Sequence, residues 1–216
     1  MLTSIAASFS CPLVHSLPFC PGVAYSVPLP APQGASTVSY DSSNFPSNVS
    51  GPLMSYLTNF TTSLLTFPCG RDWYSPLQSC ANCQRAYRKW LCAVSLPRCS
   101  ENRDSISQQP GTNTAQKTFP AFQSRSGGSA TRNPFIPDAP GDWTELLPCI
   151  ETCNAADRAC PDFLGFRCPI PRFNAADSYG VGFIDGDGED GDGDWVPGGG
   201  RVGKSQDRFG NVWCNG

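Results

Sequence analysis

Twelve cysteines in a chain of 216 residues constrain the fold more than any other feature of the sequence. This number is far above cytosolic usage, and small domains with thin cores use disulfides that are worth roughly 2–4 kcal/mol each. The cysteines therefore predict a disulfide-stapled domain made in the secretory pathway. Their pairing is left open, because twelve cysteines allow about 10,000 arrangements. The disulfide candidates are Cys11, Cys20, Cys69, Cys80, Cys83, Cys92, Cys99, Cys149, Cys153, Cys160, Cys168 and Cys214.

Four of these cysteines lie in one stretch, residues 78–99, which has the pattern of an amphipathic helix. Its apolar side chains form one stripe on a helical wheel, and Cys92 lies off that stripe. We therefore expect disulfides from this helix to two different neighbours. Because Pro97 disfavours helical backbone at the preceding residue, the helix should end near Val94 or Ser95. The stripe consists of Cys80, Cys83, Tyr87, Trp90, Leu91 and Val94.

The C-x-x-C spacing of Cys80 and Cys83 also admits a redox or a zinc-binding interpretation. A redox pair lies at the start of a helix that follows a strand, whereas a helical pattern runs through both of these cysteines. A four-ligand zinc site needs a second pair with similar spacing, and the one histidine, His15, is distant in the sequence. Structural disulfides are the favoured interpretation, and no cofactor is predicted.

Composition divides the chain into three parts. Glycine and proline number 21 each and only 39% of the residues are hydrophobic, so a core of ordinary size does not extend over the whole length. Residues 1–51 form a proline-rich, nearly uncharged lead segment with a loop between Cys11 and Cys20. Residues 52–180 form a cysteine-rich helical domain, and residues 181–216 form a Gly/Asp-rich loop and a tail that its cysteine pins.

Two further helices are predicted, one on each side of the central helix. The earlier one, over residues 52–67, has an apolar face of Leu53, Tyr56, Leu57, Phe60 and Leu64. The later one, the third helix in chain order, is expected to start over residues 142–144, with Cys149, Cys153 and Cys160 on one face.

Residues 100–141, which precede the third helix, show no apolar periodicity. We therefore predict a flexible insertion there.

Two N-glycosylation sequons, at Asn48 and Asn59, agree with passage through the endoplasmic reticulum. The first ten residues have no basic region and only a short, broken apolar run, unlike a signal peptide. We therefore expect the chain to be part of a longer protein. No run approaches the 18–20 apolar residues of a membrane span, so membrane association is expected through a partner or a missing segment.

An acidic run occupies residues 185–195, which read DGDGEDGDGDW. Asp185, Asp187 and Glu189 match the first acidic positions of an EF-hand calcium loop, but aspartate and valine stand where that loop needs glycine and glutamate. A solvated acidic loop is the favoured interpretation, and weak calcium binding by these three residues is the alternative. No firm metal site is predicted, and Cys214 then pins the tail.

The sequence carries none of the common catalytic motifs. It has no G-x-S-x-G elbow, no phosphate-binding G-x-x-x-x-G-K-[ST] and no second histidine for a metal site. Paired carboxylates occur only in the glycine-rich acidic run, whereas acid–base catalysis needs them fixed in a dry cleft. We therefore predict that the protein is not an enzyme.

Basic residues are concentrated around the central helix. Residues 71–103 carry six basic and two acidic side chains, and Arg85, Arg88 and Lys89 lie opposite the apolar stripe. A solvated helix face is the simplest explanation. On a secreted scaffold these cations would otherwise favour an acidic protein partner or an anionic glycan, and not nucleic acid.

Several stretches resemble the cysteine-rich, C-terminal half of the fungal stretch-activated calcium-channel component of the mating-induced-death type. They are CPLVHSLPFCPGVAYSVPLP, TNFTTSLLTFPCGRDWYSP, SCANCQRAYRKWLCAVSLPRC and LLPCIETCNAADRACPDFLGFRCP. The resemblance covers nearly all of residues 9–216 apart from the insertion. It implies a frizzled-like cysteine-rich domain, so the expected fold is mainly α, small and disulfide-rich, with long irregular loops.

The resemblance also implies a function. Members of that family are non-enzymatic accessory subunits of the plasma-membrane high-affinity calcium channel, on the extracellular side and beside a pore-forming subunit of the voltage-gated type. On this basis the best candidates for contacts with the pore subunit are Arg85, Arg88 and Lys89, with N-glycans at Asn48 and Asn59. The alternative is a secreted or wall-bound cysteine-rich module that binds a lipid or a glycan.

Overall fold

The computed structural model describes residues 9–32, 38–67, 77–100, 121–139, 141–170, 174–175, 178–180, 188–189, 195–196 and 214–216. Three α-helices lie in these residues: α1 (Ser47–Leu65), α2 (Cys80–Ser95) and α3 (Ile150–Ala159). A 3-10 helix follows at Asp162–Leu164. Of the helices described, none combines the length and the apolar character that a membrane crossing requires.

Short strands accompany the helices and form four small sheets within the described residues. The two larger sheets have the strand orders β3-β2-β5 and β6-β8-β7, and the two smaller ones pair β1 with β4 and β9 with β10. The strands are β1 (Phe9–Ser10), β2 (Leu13–Val14), β3 (Tyr25–Ser26), β4 (Leu29–Pro30), β5 (Ser39–Tyr40), β6 (Arg98–Ser100), β7 (Phe122–Arg125), β8 (Trp143–Leu146), β9 (Gly188–Glu189) and β10 (Trp195–Val196). The predicted small, disulfide-rich fold is confirmed. The mainly α prediction did not include the four small sheets that the structure contains. The frizzled-like relation stays a prediction.

Helix α2 forms as the sequence predicts. Its N-terminus is capped by Ser79, whose hydroxyl oxygen accepts a hydrogen bond from the backbone N–H of Asn82 at 3.3 Å. The helix ends at Ser95, two residues before Pro97. The predicted apolar stripe faces inward, where Cys83 is completely buried.

Disulfides connect α2 to two different neighbours, as expected from the position of Cys92. Cys83 is bonded to Cys160 beside α3, and Cys92 is bonded to Cys20 in the lead segment. These bridges span sequence separations of 77 and 72 residues. In the chain-entropy model, a disulfide that closes a loop of this size stabilises the folded protein by about 4 kcal/mol. Cys80 is disulfide-bonded as well. Because neither thiol of the C-x-x-C pair is free, the structure supports structural disulfides over the redox and zinc interpretations.

Three further disulfides are present among the described residues. They connect the lead segment to β6, α3 to the segment after the 3-10 helix, and the C-terminal tail to the start of α3. These bridges are Cys11–Cys99, Cys153–Cys168 and Cys149–Cys214. Cys69 lies outside the described residues.

Helix α1 begins earlier than expected and turns a slightly different face inward. The helix is predicted to begin at Pro52, but it begins at Ser47 and Pro52 lies inside it, where proline removes one backbone hydrogen bond without ending the helix. The buried side chains start with Val49 and Leu53, whereas Tyr56, predicted to face the core, is 48% exposed. The inner face otherwise follows the predicted helical spacing down to Leu64.

The prediction that the third helix starts at residues 142–144 is wrong. Trp143–Leu146 is instead strand β8, and α3 begins at Ile150. All four side chains of β8 are buried, and a strand that is buried on both faces lacks the alternating pattern that distinguishes strands from helices. Its antiparallel neighbour β7 falls within residues 100–141, so part of the segment predicted as a flexible insertion belongs to this sheet.

A buried carboxylate lies in the middle strand of this sheet. Glu145 is 2% exposed, and its Oε2 accepts a hydrogen bond from Nε of Arg125 at 2.7 Å. Nε of Arg132 lies 3.6 Å from Oε1, and the Arg132 guanidinium also lies over the ring of Tyr179. Burial lowers the pKa of Arg132, and Glu145 partly offsets this effect. Glu145 therefore neutralises two arginines that have limited access to water.

Replacing this carboxylate by an amide is expected to destabilise the fold. Glu145→Gln keeps the size of the side chain but leaves both arginines without a counter-charge, and removal of one partner from a fully buried pair costs about 3–5 kcal/mol. Because the arginines are partly exposed, we expect a loss of about 2–3 kcal/mol in the free energy of unfolding, measured by urea denaturation.

The matched control is Asp162→Asn, which removes a carboxylate that is 89% exposed and pairs with Arg167 on the surface. Its urea midpoint should stay at the wild-type value. Equal midpoints for the two variants would show that Glu145 contributes no more than a surface carboxylate.

Candidate functional site

Arg85, Arg88 and Lys89 line one cavity of about 330 Å³. They follow one another at i, i+3 and i+4 on the outer face of α2, so their side chains are neighbours. The other walls come from the loop after Cys20, from β3 and from the C-terminal tail. The remaining lining residues are Pro21, Gly22, Val23, Tyr25, Cys92, Ala93, Asn215 and Gly216.

One wall of the cavity is held by the Cys20–Cys92 disulfide, whose Cα atoms are 5.7 Å apart. Two backbone hydrogen bonds shape the turn beside it: the N–H of Cys20 donates to the carbonyl of Leu17, and the N–H of Val23 donates to the carbonyl of Cys20, both at 3.0 Å. The loop is therefore fixed against α2 by a covalent bond and by its own turn.

A second wall is the tail, which lies alongside the chain just before α3. The Cys149–Cys214 disulfide fixes it, the N–H of Asn215 donates to the carbonyl of Leu147 at 2.7 Å, and the N–H of Cys149 donates to the carbonyl of Asn215 at 2.8 Å. A Cβ at Gly216 would lie 2.9 Å from the sulfur of Cys149, so glycine permits this close approach.

Tyr25 links the cavity to the end of α2. Its hydroxyl donates a hydrogen bond to the carbonyl of Leu96 at 2.9 Å, and the guanidinium of Arg98 lies 5.7 Å from the centre of its ring. Burial raises the pKa of Tyr25 to about 12, although Asn215 and Arg98 offset part of that rise. The phenol is therefore neutral at physiological pH and keeps its proton in the bond to Leu96.

The cavity carries an excess of positive charge and of hydrogen-bond donors. Its lining has three cations and no acidic side chain, and none of the three forms an ion pair within the described residues. Among the described residues, Arg85 donates a hydrogen bond to the side chain of its helix neighbour Asn82. Nε of Arg88 is buried and has no acceptor among the described residues, and the side chain of Asn215 lies against the hydroxyl of Tyr25, where it favours the ionised phenol. Such a site is suited to an anion that brings acceptors with it.

The described part of the chain does not test the predicted calcium candidates. Asp185 and Asp187 lie outside the described residues, and Glu189 lies in β9, which pairs with β10. One group of potential metal ligands does cluster among the described residues, but its two cysteines share a disulfide and have no thiolate to offer. That group is Cys149, Glu151 and Cys214.

Both sequons lie on the exposed surface of α1. Asn48 and Asn59 are exposed, and Nδ2 of Asn48 donates a weak hydrogen bond to the carbonyl of Phe135 at 3.4 Å. Attachment of a glycan leaves one hydrogen on that nitrogen, so this contact is compatible with glycosylation.

The sequence predicts the three cations but not the other polar residues of the cavity, Tyr25 and Asn215. These two residues come from opposite ends of the chain, and the Cys20–Cys92 and Cys149–Cys214 bridges help to place them beside α2. The sequence gives one signal for them, which is that each lies close to a cysteine. Once the cysteine pairing is known, that position predicts that they lie near α2.

Comparisons with known proteins identify a family. Residues 2–191 match the model of the Mid1 family, described as "Stretch-activated Ca2+-permeable channel component". The chain is 40% identical to the stretch-activated cation channel MID1 of Cryptococcus neoformans var. grubii over 97% of this chain and 35% of the relative.

Two other fungal relatives agree. The chain is 32% identical to the stretch-activated cation channel yam8 of Schizosaccharomyces pombe over 79% of this chain and 32% of the relative. It is also 32% identical to the stretch-activated cation channel MID1 of Saccharomyces cerevisiae, over 74% of this chain and 26% of the relative. The chain thus spans about a third or less of the length of these relatives. No solved structure matches it.

Removal of the Tyr25 hydroxyl should change both stability and its dependence on pH. Tyr25→Phe is expected to lower the free energy of unfolding by about 1 kcal/mol at pH 7, because the hydrogen bond to Leu96 is lost. An unfolded tyrosine ionises near pH 10 and folded Tyr25 near 12. Its contribution is therefore fully present below pH 10 and is lost as pH rises from 10 to 12.

Absorbance titration of the tyrosinates checks this assignment. The wild-type curve minus the Tyr25→Phe curve should have its midpoint near pH 12, and a midpoint near pH 10 would contradict the buried phenol. Tyr56→Phe, at an exposed position on α1, is the control and should leave the urea midpoint unchanged.

Proposed function

We propose that this chain, which belongs to the Mid1 family of stretch-activated Ca²⁺-permeable channel components, is part of a non-enzymatic accessory subunit of a plasma-membrane calcium channel. In this proposal the domain lies on the extracellular side, reaches it through the endoplasmic reticulum, and supports high-affinity calcium influx. The names of the three fungal relatives support the channel assignment.

The observation that carries the proposal is the cationic cavity on α2. Three cations without ion pairs in the described residues surround a cavity whose walls are fixed by disulfides. A rigid surface of one charge sign favours a partner of the opposite sign, because complementary charges speed association and fix its orientation. The partner we propose is an acidic extracellular surface of a pore-forming subunit of the voltage-gated type.

The disulfides have a structural role in this proposal. All eleven cysteines among the described residues are disulfide-bonded, so they make this part of the domain rigid. A frizzled-like arrangement of the helices is part of the proposal and rests on the sequence resemblance. Membrane association then comes through the pore subunit or a part of the protein outside this chain.

A second candidate is a secreted or wall-bound module that binds a lipid or a glycan. The apolar part of the cavity lining, formed by Pro21, Val23 and Ala93, favours it, since an amphiphilic ligand would use both kinds of wall. Recovery of such a ligand with the purified protein would support this function over the first.

Co-purification tests the accessory-subunit proposal. The triple variant Arg85→Glu, Arg88→Glu and Lys89→Glu, placed in the full-length protein, should lower recovery of the pore subunit from detergent-solubilised membranes at least tenfold, while secretion of the variant stays normal. The physical reason is repulsion between like charges at the interface.

Two single charge-reversal variants provide the matched control for this experiment. Lys89→Glu and Arg158→Glu both reverse an exposed cation on a helix, and only the first change lies at the cavity. Lys89→Glu should reduce recovery and Arg158→Glu should not. Undiminished recovery with the triple variant would remove these residues from the interface.

Glycosylation of α1 is a separate expected outcome. Ser50→Ala and Thr61→Ala each destroy one sequon while leaving the asparagine and its contacts in place, so each should remove one glycan from the protein made in a fungal host. The intact mass before and after enzymatic deglycosylation measures this. An unchanged mass for either variant would show that its asparagine is unmodified.

A further inference from the structure

We propose that the cavity on α2 is a receptor for an extended acidic segment of the protein partner, in which two carboxylates two residues apart are followed by an apolar side chain on the same face. This inference rests on the proposed function, because it takes the channel partner as the source of the segment. It adds the chemistry and the spacing that the partner must present.

The charge of the site requires an anionic ligand. Arg85 and Lys89 are exposed and Arg88 is half-buried, so one cation lies deeper than the other two. Cations at i, i+3 and i+4 of one helix repel one another. A ligand that carries more than one carboxylate relieves this repulsion as it binds.

Arg88 adds the inner cation of the site. It is half-buried in the cavity lining and forms no ion pair within the described residues. Hydrogen bonds between a guanidinium and a carboxylate are charge-assisted and strong. A carboxylate that pairs with Arg88 therefore enters the cavity, whereas one that pairs only with Arg85 or Lys89 stays at the exposed face.

The spacing of the cations favours an extended segment. Arg85 and Lys89 are four residues apart in α2, which corresponds to about 6 Å along the helix axis. Side chains at i and i+2 of an extended peptide lie on one face, about 6.6 Å apart. Two acids at that spacing therefore match the two exposed cations, whereas adjacent acids point to opposite faces.

The apolar lining defines the third position. Pro21, Val23 and Ala93 lie in the same cavity as the cations. The next side chain on the acidic face of the segment is at i+4, and an apolar residue there removes this surface from water on binding. The recognised pattern is therefore acid-x-acid-x-apolar.

Peptide binding to the purified, fully oxidised chain tests the inference. The probe is a dye-labelled peptide whose central sequence is Asp-Ser-Asp-Ser-Leu, and its control has the same composition in the order Asp-Asp-Ser-Ser-Leu. Fluorescence anisotropy should show at least fivefold tighter binding of the first peptide. Equal affinities would overturn the spacing argument and with it the inference.

Two variants address the inner lining of the cavity independently. Arg88→Gln removes the deepest cation, and Asn215→Asp places a negative charge in the lining without changing the size of the side chain. Each should weaken binding of the probe at least tenfold, whereas Arg158→Gln, with the same charge change as Arg88→Gln at an exposed site, should leave it unchanged. Equal losses for Arg88→Gln and Arg158→Gln would show non-specific charge attraction and overturn the inference.

Other occupants of the cavity give distinct results. If Asp185→Asn, Asp187→Asn and Glu189→Gln together make the probe bind several-fold tighter, the chain's own acidic run occupies the cavity and the assignment to a partner is overturned. A bound apolar carboxylate in the native mass spectrum of the purified chain would overturn it in favour of a small ligand.

The inference and the proposed function fail in different ways. Pore-subunit recovery without binding of the probe overturns the inference and leaves the proposed function in place. Selective binding of the probe without pore-subunit recovery overturns the proposed function, and the cavity then remains a receptor for an acidic segment of another protein.

Discussion

The rest of the structure depends on the two disulfides that leave helix α2 in different directions. The buried side chains among the described residues fall into four clusters, and a core divided in this way stabilises each part only weakly. The Cys20–Cys92 bridge lies within the cluster formed by the lead segment with α1 and α2, and the Cys83–Cys160 bridge lies within a second cluster. Each bridge therefore strengthens one cluster, and α2, which contributes a cysteine to both, connects the two.

Aromatic contacts on the inner face of α2 add to this connection. Tyr87 stacks on Phe60 of α1 with ring centres 3.6 Å apart, and Trp90 meets Phe166 edge to face at 4.8 Å. The indole N–H of Trp90 also donates to the hydroxyl of Tyr179 at 2.9 Å. Since the inner face is fully used for packing, the outer face of the same helix is where its three cations lie, and disulfides at Cys92 and Cys149 bring two other segments to it.

Local signals in the sequence predicted α2 but not the sheets or the complete cavity. The bounds of α2 follow from Pro97 and the apolar stripe, and its two-sided bridging follows from the angle of Cys92 on the wheel. Strand β8 was missed because it is buried on both faces, and the start of α1 because Pro52 lies within the helix. The cavity depends on which cysteines pair, and roughly 10,000 arrangements are compatible with the same sequence. Tyr25 and Asn215 were therefore beyond the reach of spacing arguments.

The arginines near Glu145 have a carboxylate beside them, whereas the cations of α2 have none among the described residues. This difference indicates why the cations of α2 are unpaired. Where the partly buried Arg125 and Arg132 lie beside β8, the fold supplies a carboxylate that is itself 2% exposed and lies near both of them. Around the cavity the described residues supply none. Because most residues outside functional sites agree with the stability of the fold, three neighbouring cations without a counter-charge are typical of a binding surface. The disulfides at Cys92 and Cys149 hold the loop and the tail beside these cations, so the walls of the cavity are fixed before any partner binds.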